Sequence, residues 1–270
     1  MSNIIHPTAI VSSSVQLGDN VVIGPYAVVE GAVTLADNVE VGAHAILSGW
    51  TTVGKGTIIF PHAAVGSDPQ DKKYKRGEKT FLEIGENNVF REFVTINRGT
   101  VEGGGVTRIG SNNLLMAYAH VAHDCTVGND CVLANVTTLA GHVKVEDRVV
   151  IGGLSAVHQF VQVGKMSMVG GCSRVTQDVP PYSLCNGVPA LIYGLNAVGL
   201  KRAGMPVSSL RILKQAFRIF FHSGLAKPTA IERIEKEIEL VDEVRHLLEF
   251  ARASERGMCA SVKNGTETAE

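Results

Sequence analysis

Aliphatic residues recur at every sixth position over most of the chain. Counting from Ile5, the step of six meets ten aliphatic residues in succession and ends at Ile59. The register returns over residues 84–101 for three hexads and over residues 109–180 for twelve more. An amphipathic helix would space its apolar residues by three and four, and a half-buried strand would space them by two. A sustained period of six fits neither pattern and indicates a repeat architecture.

Other positions of the hexad carry a second pattern. The fifth residue is small or β-branched, and the second is often glycine. Glycine, Asn and Asp suit corners where the backbone needs positive φ. These features predict a parallel β-helix in which each hexad forms a short strand and a turn. At three hexads per coil, the 25 hexads predict about eight coils, stacked about 4.8 Å apart. We expect this all-β domain to span residues 1–190.

Two segments leave the register and predict loops near residues 67–81 and 102–108. The first, "SDPQDKKYKRGEKTF", is polar and charged, and the second, "EGGGVTR", is rich in glycine. Loops on a rigid scaffold are where binding groups concentrate, so we expect the first loop to serve function. The alternative is a solvated surface insertion.

The period of six ends after Val179, and helical spacing takes over. Residues 191–257 predict a small C-terminal helical domain that closes one end of the prism. It has one helix over residues 208–222 and a second running from Pro228 to near Ser254. From Met258 to residue 270 we expect a disordered tail.

Composition narrows the class of protein. A net charge of −1 gives no indication of a nucleic-acid binder. Five cysteines without a CxxC pair predict reduced thiols in a cytoplasmic protein. The N-terminus lacks the features of a signal peptide, and no stretch reaches 18 consecutive apolar residues, so we expect no stable membrane insertion.

Histidines supply the candidate chemistry. The hexads that contain His123, His142 and His158 follow one another at intervals of three hexads, which is one coil. They therefore predict a vertical row of imidazoles on one face, with His120 at the neighbouring corner. A zinc site is one interpretation, although its ligands would stand about 5 Å apart in height. A general base oriented by a carboxylate is the other, because imidazole titrates near neutral pH. Cys125 occupies a small fifth position and is predicted to be core.

Longer motifs carry a resemblance to a known family. The block "NLLMAYAHVAHDCTVGNDCVLAN" is followed by "LAGHV", "IGGLSAVHQF" and "VGGCSRVTQDVPPY". With "NRGT", "GGG", "QDKKY" and "GLKR", this pattern closely resembles the UDP-N-acetylglucosamine acyltransferases that begin lipid A biosynthesis, up to about Gly257. The resemblance implies a homotrimer of left-handed β-helices with active sites between subunits, and neither a metal nor another cofactor. It also implies transfer of an (R)-3-hydroxyacyl group from acyl carrier protein to the glucosamine 3-hydroxyl of UDP-N-acetylglucosamine.

The same resemblance implies roles for individual residues. His123 would be the general base, Asp124 would hold it, and the backbone N–H of Gly141 would stabilise the oxyanion. Gly171 matches the position that limits acyl-chain length, and a glycine there favours a longer chain. The remaining matched positions would bind substrate: Asp71, Lys73, His120, His142, His158, Gln159, Asn196 and Arg202.

Some positions depart from the family pattern. Val198 stands where an acidic residue is common, Ala203 stands where a second arginine is common, and the first loop is one residue longer after Tyr74.

The acyl length and the acceptor atom are not fixed by the sequence. Transfer to the 3-amine of a diamino sugar nucleotide is the main alternative, and a zinc carbonic anhydrase on the same scaffold is another. A third is a non-catalytic scaffold whose basic residues, among them Lys201 and Arg202, dock an acidic partner.

Overall fold

The computed structural model describes residues 2–262, and a left-handed parallel β-helix takes up most of them. Its strands are mostly two residues long, as a six-residue repeat of strand and turn requires. In chain order they are β1 (Ile4–Ile5), β2 (Ile10–Val11), β3 (Gln16–Leu17), β4 (Val22–Ile23), β5 (Val28–Val29), β6 (Thr34–Leu35), β7 (Glu40–Val41), β8 (Ile46–Leu47), β9 (Trp50–Val53), β10 (Ile58–Ile59), β11 (Ala64–Ser67), β12 (Phe81–Ile84), β13 (Val89–Phe90), β14 (Thr95–Asn97), β15 (Val106–Ile109), β16 (Leu114–Leu115), β17 (His120–Val121), β18 (Thr126–Val127), β19 (Val132–Leu133), β20 (Thr138–Leu139), β21 (Lys144–Val145), β22 (Val150–Ile151), β23 (Ala156–Val157), β24 (Gln162–Val163), β25 (Met168–Val169), β26 (Arg174–Val175), β27 (Ser183–Asn186) and β28 (Leu191–Leu195).

Every third strand pairs side by side, which builds the three faces of a triangular prism. Face A runs from β1 through β4 and β7 to β25, β27 and β28, face B from β2 to β26, and face C from β3 to β24. Pairing is parallel, and regular partners such as Val121 and Leu139 are separated by three hexads of sequence. Only the hairpin of β27 and β28 is antiparallel among the pairs of the described residues. The chain turns from face to face at three edges: A–B, B–C and C–A.

The aliphatic residues of the six-residue period form the core. Leu47, Val121, Leu139 and Ile151 all have no exposed surface, and so does the fifth-position residue Cys125. Burying such a side chain contributes about 1.5–3 kcal/mol. The predicted β-helix is confirmed, and so are its core positions from Ile23 onward, whereas Ile5 of the first coil is 44% exposed.

Both predicted insertions leave the prism at the B–C edge. The first loop, residues 68–80, joins β11 to β12, and the second loop, residues 98–105, joins β14 to β15. Ile58 still pairs with Val89 across the first loop, and Thr95 still pairs with His120 across the second. The stacking of the coils continues across both insertions, so the loops are added to an unbroken scaffold. The second loop begins earlier in the chain than the sequence predicted.

Four helices follow β28: α1 (Ala197–Arg202), α2 (Val207–His222), α3 (Lys227–Glu237) and α4 (Asp242–Ala253). The predicted helix over residues 208–222 is confirmed as α2. The predicted second helix is in fact two helices, separated at Ile238, whose backbone is extended. Asp242 and Glu243 explain the restart, since acidic residues in a first turn favour a new helix N-terminus. None of the described helices is long and apolar enough to cross a membrane.

Residues 258–262, where the sequence predicted the start of a disordered tail, are held in place by backbone pairing. Met258 pairs with Asp178 and Ser261 pairs with Ile192 as isolated β-bridges, and Cys259 is 3% exposed. These backbone bonds and the burial of Cys259 fix the segment against the C-terminal end of the β-helix. Residues 263–270 lie outside the described part of the chain. The boundary between the two domains at residue 190 stays a prediction.

Candidate functional site

His123, Asp124 and Gly141 lie together at the B–C edge, where both loops emerge. His123 is the third residue of its hexad, and Gly141 is the third residue of the hexad one coil further on. Asp124 holds the fourth position with φ at 59°, in the left-handed region that Asp tolerates better than most residues. Thr107 supports this turn, because its hydroxyl accepts a hydrogen bond of 2.8 Å from the Asp124 N–H.

A short hydrogen bond joins His123 to Asp124. The His123 Nδ1 lies 2.7 Å from the Asp124 Oδ2, and the His123 side chain is only 14% exposed. A carboxylate can only accept, so Nδ1 carries the proton and donates it. In the neutral ring this leaves the lone pair on Nε2, free to accept a proton.

Thr100 of the second loop holds both oxygens of the Asp124 carboxylate. Its backbone N–H donates to Oδ1 at 2.8 Å, and its hydroxyl donates to Oδ2 at 2.6 Å. Burial alone would raise the pKa of Asp124, but the hydrogen bonds from His123 and Thr100 outweigh it and lower the pKa below its ordinary value. Asp124 is therefore ionised at neutral pH. The sequence did not single out Thr100, although "NRGT" contains it.

Gly141 leaves room for the imidazole. A Cβ added to Gly141 would lie 2.6 Å from the His123 Cε1, closer than any side chain could come. The ring therefore lies directly against the backbone of the next coil. Within residues 2–262 the Gly141 N–H donates to no other group, so it is available to a ligand beside His123.

The first loop brings Asp71 towards the same imidazole. The Asp71 Oδ2 is 3.9 Å from the His123 Nε2, on the side opposite Asp124. Lys73, two residues on, extends to Glu102 of the second loop at 3.3 Å, and both side chains are largely exposed. An ion pair so exposed contributes little to stability, so the Lys73 ammonium can exchange Glu102 for another anion.

Arg98 holds the first loop in place through hydrogen bonds, a role that the sequence did not predict. Its guanidinium donates to Gly66 O and the Asp68 carboxylate, and to the Tyr74 hydroxyl at 3.2 Å. It also lies 5.7 Å from the ring of Trp50. The Arg98 side chain is only 4% exposed, so the loop closes over a buried cation.

The predicted vertical row of imidazoles is wrong. His142 occupies the fourth hexad position, so it stacks on Phe160 at 4.4 Å and meets His123 edge-on at 5.2 Å. His158 occupies the second position, and it is exposed, as is the neighbouring Gln159. Histidines at one edge form a row only if they hold the same hexad position, because side chains at different positions point in different directions. Phe160, which the sequence analysis did not single out, stacks on His142 where His158 was expected.

His120 is placed on face B beside this cluster. It is the outward residue of β17, and its Nδ1 lies 2.7 Å from the Thr95 hydroxyl of the coil below. Burial and then the neighbouring His123 lower the pKa of His120, and burial lowers the pKa of His142, so both are neutral at pH 7. Cys125 is core as predicted, and burial raises the pKa of its thiol to about 12.

Three other predicted site residues lie on different edges of the prism. Gly171 follows β25 at the A–B edge, with its carbonyl neighbour Gly153 one coil below. Asn196 caps α1 and donates to Met166 O at 3.0 Å, at the C–A edge, and the exposed Arg202 ends the same helix. One chain therefore does not bring these residues to His123.

A metal has limited room at the cluster. Ligand atoms of His123, Asp124 and His142 lie within 4.8 Å of one another. However, the Asp124 oxygens already accept hydrogen bonds from Thr100 and His123, and His123 Nδ1 is used in one of these. The geometry is that of a hydrogen-bonded acid–base pair with Nε2 open.

Comparison with known proteins gives a consistent family. A family model described as UDP-N-acetylglucosamine O-acyltransferase, domain 2, matches residues 178–259, and a bacterial transferase hexapeptide model matches residues 106–141. An acyl-[acyl-carrier-protein]–UDP-N-acetylglucosamine O-acyltransferase from Verminephrobacter eiseniae is 53% identical over 86% of this chain and 88% of its own. The enzyme of that name from Alkalilimnicola ehrlichii is 52% identical over 94% of this chain and 98% of its own.

A solved structure agrees with these relatives. The crystal structure of a UDP-N-acetylglucosamine acyltransferase from Bacteroides fragilis superposes with a TM-score of 0.92 at 38% identity, over 94% of this chain and 99% of that one. The likeness covers the β-helix and the helical region together. The chain belongs to the family of acyl-[acyl-carrier-protein]–UDP-N-acetylglucosamine O-acyltransferases.

Proposed function

We propose that the protein transfers an (R)-3-hydroxyacyl group from acyl carrier protein to the 3-hydroxyl of UDP-N-acetylglucosamine, with His123 as general base. The observation that carries the proposal is the His123–Asp124 pair, which presents an open Nε2 beside Asp71 and the Gly141 N–H. A base, its orienter and an unused backbone donor are the groups that acyl transfer needs. The relatives named above supply the donor and acceptor classes.

The proposed reaction follows from this arrangement. His123 Nε2 takes the proton of the sugar hydroxyl while its oxygen bonds to the thioester carbonyl carbon. Asp124 stabilises the imidazolium that results, and the Gly141 N–H donates to the carbonyl oxygen as it becomes an oxyanion. When the tetrahedral intermediate collapses, the C–S bond breaks, and the imidazolium returns its proton to the departing thiolate.

The remaining predicted residues would bind the substrates. In this proposal Asp71 and Lys73 would contact the sugar and its surroundings, and His120, His142, His158 and Gln159 would contact the sugar and the diphosphate region. Asn196 and the Arg202 guanidinium would hold the nucleotide and its phosphates, for which a planar, permanently charged fork is suited. Gly171 would leave room for a long acyl chain.

We also infer that the site forms between subunits of a homotrimer. His123, Gly171 and Asn196 lie on three different edges, so only neighbouring copies can bring them to one cleft. The outward strand residues also differ between the faces. On face C the outward residue directly before the buried aliphatic residue is polar in every strand: Gln16, Thr34, Thr52, Glu83, Arg108, Thr126, Lys144 and Gln162. The longer strands β9, β12 and β15 of this face also carry outward Trp50, Phe81 and Val106. From β1 to β25 on face A, the outward residue directly before the buried aliphatic residue is apolar in every strand except β7, which carries Glu40: Ile4, Val22, Ile58, Val89, Leu114, Val132, Val150 and Met168.

An exposed ladder of rings marks the edge that would face the trimer axis. Along the A–B edge, five rings stack with centroids 4.8–5.1 Å apart: Tyr26, His44, His62, Phe93 and Tyr118. Tyr118 is 57% exposed, and Val136 and Leu154 continue the apolar strip at 42% and 64%. A strip this long and apolar is typical of a surface that is covered in the assembly. In such a trimer, polar face C would lie on the outside.

Acyl transfer by the purified protein tests the proposal. The assay would use UDP-N-acetylglucosamine and a 3-amino analogue as acceptors, with a series of 3-hydroxyacyl carrier-protein thioesters. We expect ester formation with the first acceptor, and a loss of about 10²- to 10⁴-fold in His123→Ala. Amide formation with the amino sugar alone would favour the diamino-sugar alternative. Stoichiometric zinc lost together with activity would overturn the acyltransferase proposal.

A further inference from the structure

The second loop has no role in the proposed reaction as described so far, yet it makes the closest contacts to the Asp124 carboxylate. Thr100 gives it two hydrogen bonds, and Gly103 lies so near that an added Cβ would stand 2.2 Å from the Asp124 Cγ. The Thr100 hydroxyl also accepts from the Gly103 N–H at 3.0 Å, which ties the loop to itself at this point. The loop therefore closes over the carboxylate.

We propose that Thr100 is the positioning residue of the catalytic base: its hydroxyl and N–H fix the Asp124 carboxylate in the orientation that aligns the His123 imidazole. The proposal rests on His123 being the base. Thr100 itself is 6% exposed and lies behind Asp124, so it acts through Asp124 and not on the substrate.

Without Thr100, the hydrogen bond from His123 alone would not fix the rotation of the Asp124 carboxylate. Asp124 Oδ1 accepts only from the Thr100 N–H among the described residues, whereas Oδ2 accepts from both the Thr100 hydroxyl and His123. The two Thr100 donors therefore set the rotation of the carboxylate about its Cβ–Cγ bond. That rotation decides whether Oδ2 lies in the plane of the imidazole N–H. Small displacements of a base can cost about 100-fold in rate.

The insertion itself is explained by this role. Among the described residues, the hydrogen bonds to the Asp124 carboxylate come from Thr100 of the insertion and from the adjacent His123, and none comes from the neighbouring coils. An insertion that folds back supplies a backbone N–H and a hydroxyl from a single residue. The glycines then have a structural purpose: Gly103 permits the contact, and Gly104 and Gly105 adopt φ of 100° and 81°, which closes the turn.

Thr100→Val and Thr100→Ser separate positioning from mere packing. Valine keeps the shape and the backbone N–H but removes the hydroxyl, and serine restores it. We expect Thr100→Val to lower kcat about 10- to 100-fold with KM for the sugar nucleotide unchanged within about 2-fold. We also expect the acid limb of its pH–rate profile to move, and Thr100→Ser to restore both properties to near wild type.

Thr137→Val is the matched control. Thr137 is also buried, and its hydroxyl donates to carbonyls of the next coil, but it is not in contact with Asp124. It should lose thermal stability as Thr100→Val does, with kcat and the acid limb unchanged. Equal kcat losses in the two valine variants, or failure of serine to rescue, would overturn the positioning role.

A readout without turnover distinguishes this proposal from the proposed function. The 15N chemical shifts of the His123 ring report the hydrogen bond at Nδ1. They should change in Thr100→Val, return in Thr100→Ser and stay as in wild type in Thr137→Val. If the wild type proves inactive in acyl transfer while these shifts respond, the function fails and the positioning contact stands. If transfer is normal and the shifts do not respond, the positioning proposal fails.

Discussion

The imidazole of His123 lies against the backbone of Gly141, one coil above it. The approach is so close that a methyl group on Gly141 would reach within 2.6 Å of the His123 Cε1. Because Gly141 has no side chain, the His123 imidazole can lie beside the N–H proposed to stabilise the oxyanion.

Gly141→Ala should therefore displace the imidazole without disturbing the fold. The new methyl group cannot share the space, and the ring would have to turn away from Asp124 or Gly141. We expect kcat to fall about 100-fold or more with a small change in thermal stability. Steady-state kinetics and a thermal melt measure the two effects. A variant with wild-type kcat would show that the ring can move at no cost to the reaction.

Arg98→Lys should loosen the first loop. A lysine keeps the charge but cannot reach Gly66 O, Asp68 and the Tyr74 hydroxyl together, since it lacks the fork of a guanidinium. We expect KM for the sugar nucleotide to rise about 10-fold and stability to fall by about 2 kcal/mol. Kinetics and limited proteolysis of residues 68–80 are the measurements.

Arg108→Lys is the control for that experiment. Arg108 pairs with Glu83 on face C, but its side chain is 53% exposed. Its replacement should change neither KM nor proteolysis. If the two lysine variants behave alike, burial of the Arg98 guanidinium is not what orders the loop.

Gly171→Met should shift the acyl preference to shorter chains. A Cβ at Gly171 would lie 3.2 Å from Gly153 O, a tight contact that a shift of a few tenths of an ångström relieves, and Gly171 is exposed at the prism surface. In the proposed trimer the new side chain would occupy part of the cleft that receives the acyl chain. Competition between short and long 3-hydroxyacyl thioesters measures the shift. An unchanged ratio would place the acyl chain elsewhere.

Phe93→Asp should dissociate the proposed trimer. Phe93 stacks between His62 and Tyr118, and a carboxylate there would break the ladder and bring three like charges towards the axis. We expect monomers by light scattering, and no acyl transfer, because each site needs two chains. Gln16→Asp, at an exposed position of face C far from the site, should leave the oligomer intact.

Stability should decline as the pH falls below neutral. Burial lowers the pKa of His120 and of His142 below 6.5, so the unfolded chain binds protons that the folded chain does not. The free energy of unfolding then falls as the pH drops from about 6.5 towards the lowered values, and levels off below them. The thermal midpoint should be lower at pH 5.5 than at pH 7.5, by roughly 2–4 °C for each kcal/mol lost. His120→Gln should reduce this difference.

The period of six predicted most of the fold from the sequence alone. It identified the core side chains, the three-hexad coil and the two places where loops interrupt it. These features follow from one repeated rule, that one aliphatic residue per hexad enters the axis. The split between α3 and α4 was missed although Asp242 and Glu243 signal a new helix N-terminus locally. The pairing of Met258 was missed because it depends on contacts that no local pattern encodes.

The site was predicted less completely, for two physical reasons. Counting hexads placed His123, His142 and His158 at one edge but ignored their positions within the hexad, which differ and aim the side chains apart. Arg98 and Thr100 fall within the six-residue register of the sequence, but the structure places them in the second loop, so their partners could be seen only in the folded chain. The sequence did contain one signal for the stack of His142 on Phe160. Asp124, His142 and Phe160 each hold the fourth position of their hexads in consecutive coils, so their side chains lie above one another.

Both loops emerge at one edge of the β-helix, so the loops can evolve separately from the scaffold that carries them. Apart from one register irregularity between Val65 and Ser67, the coils keep their parallel pairing across the two insertions, so the insertions can change in length and composition without altering the core. One insertion reaches the proposed acceptor and the other holds the base. New acceptor chemistry could thus arise by exchanging a surface segment, while the inherited prism keeps the reactive imidazole in place.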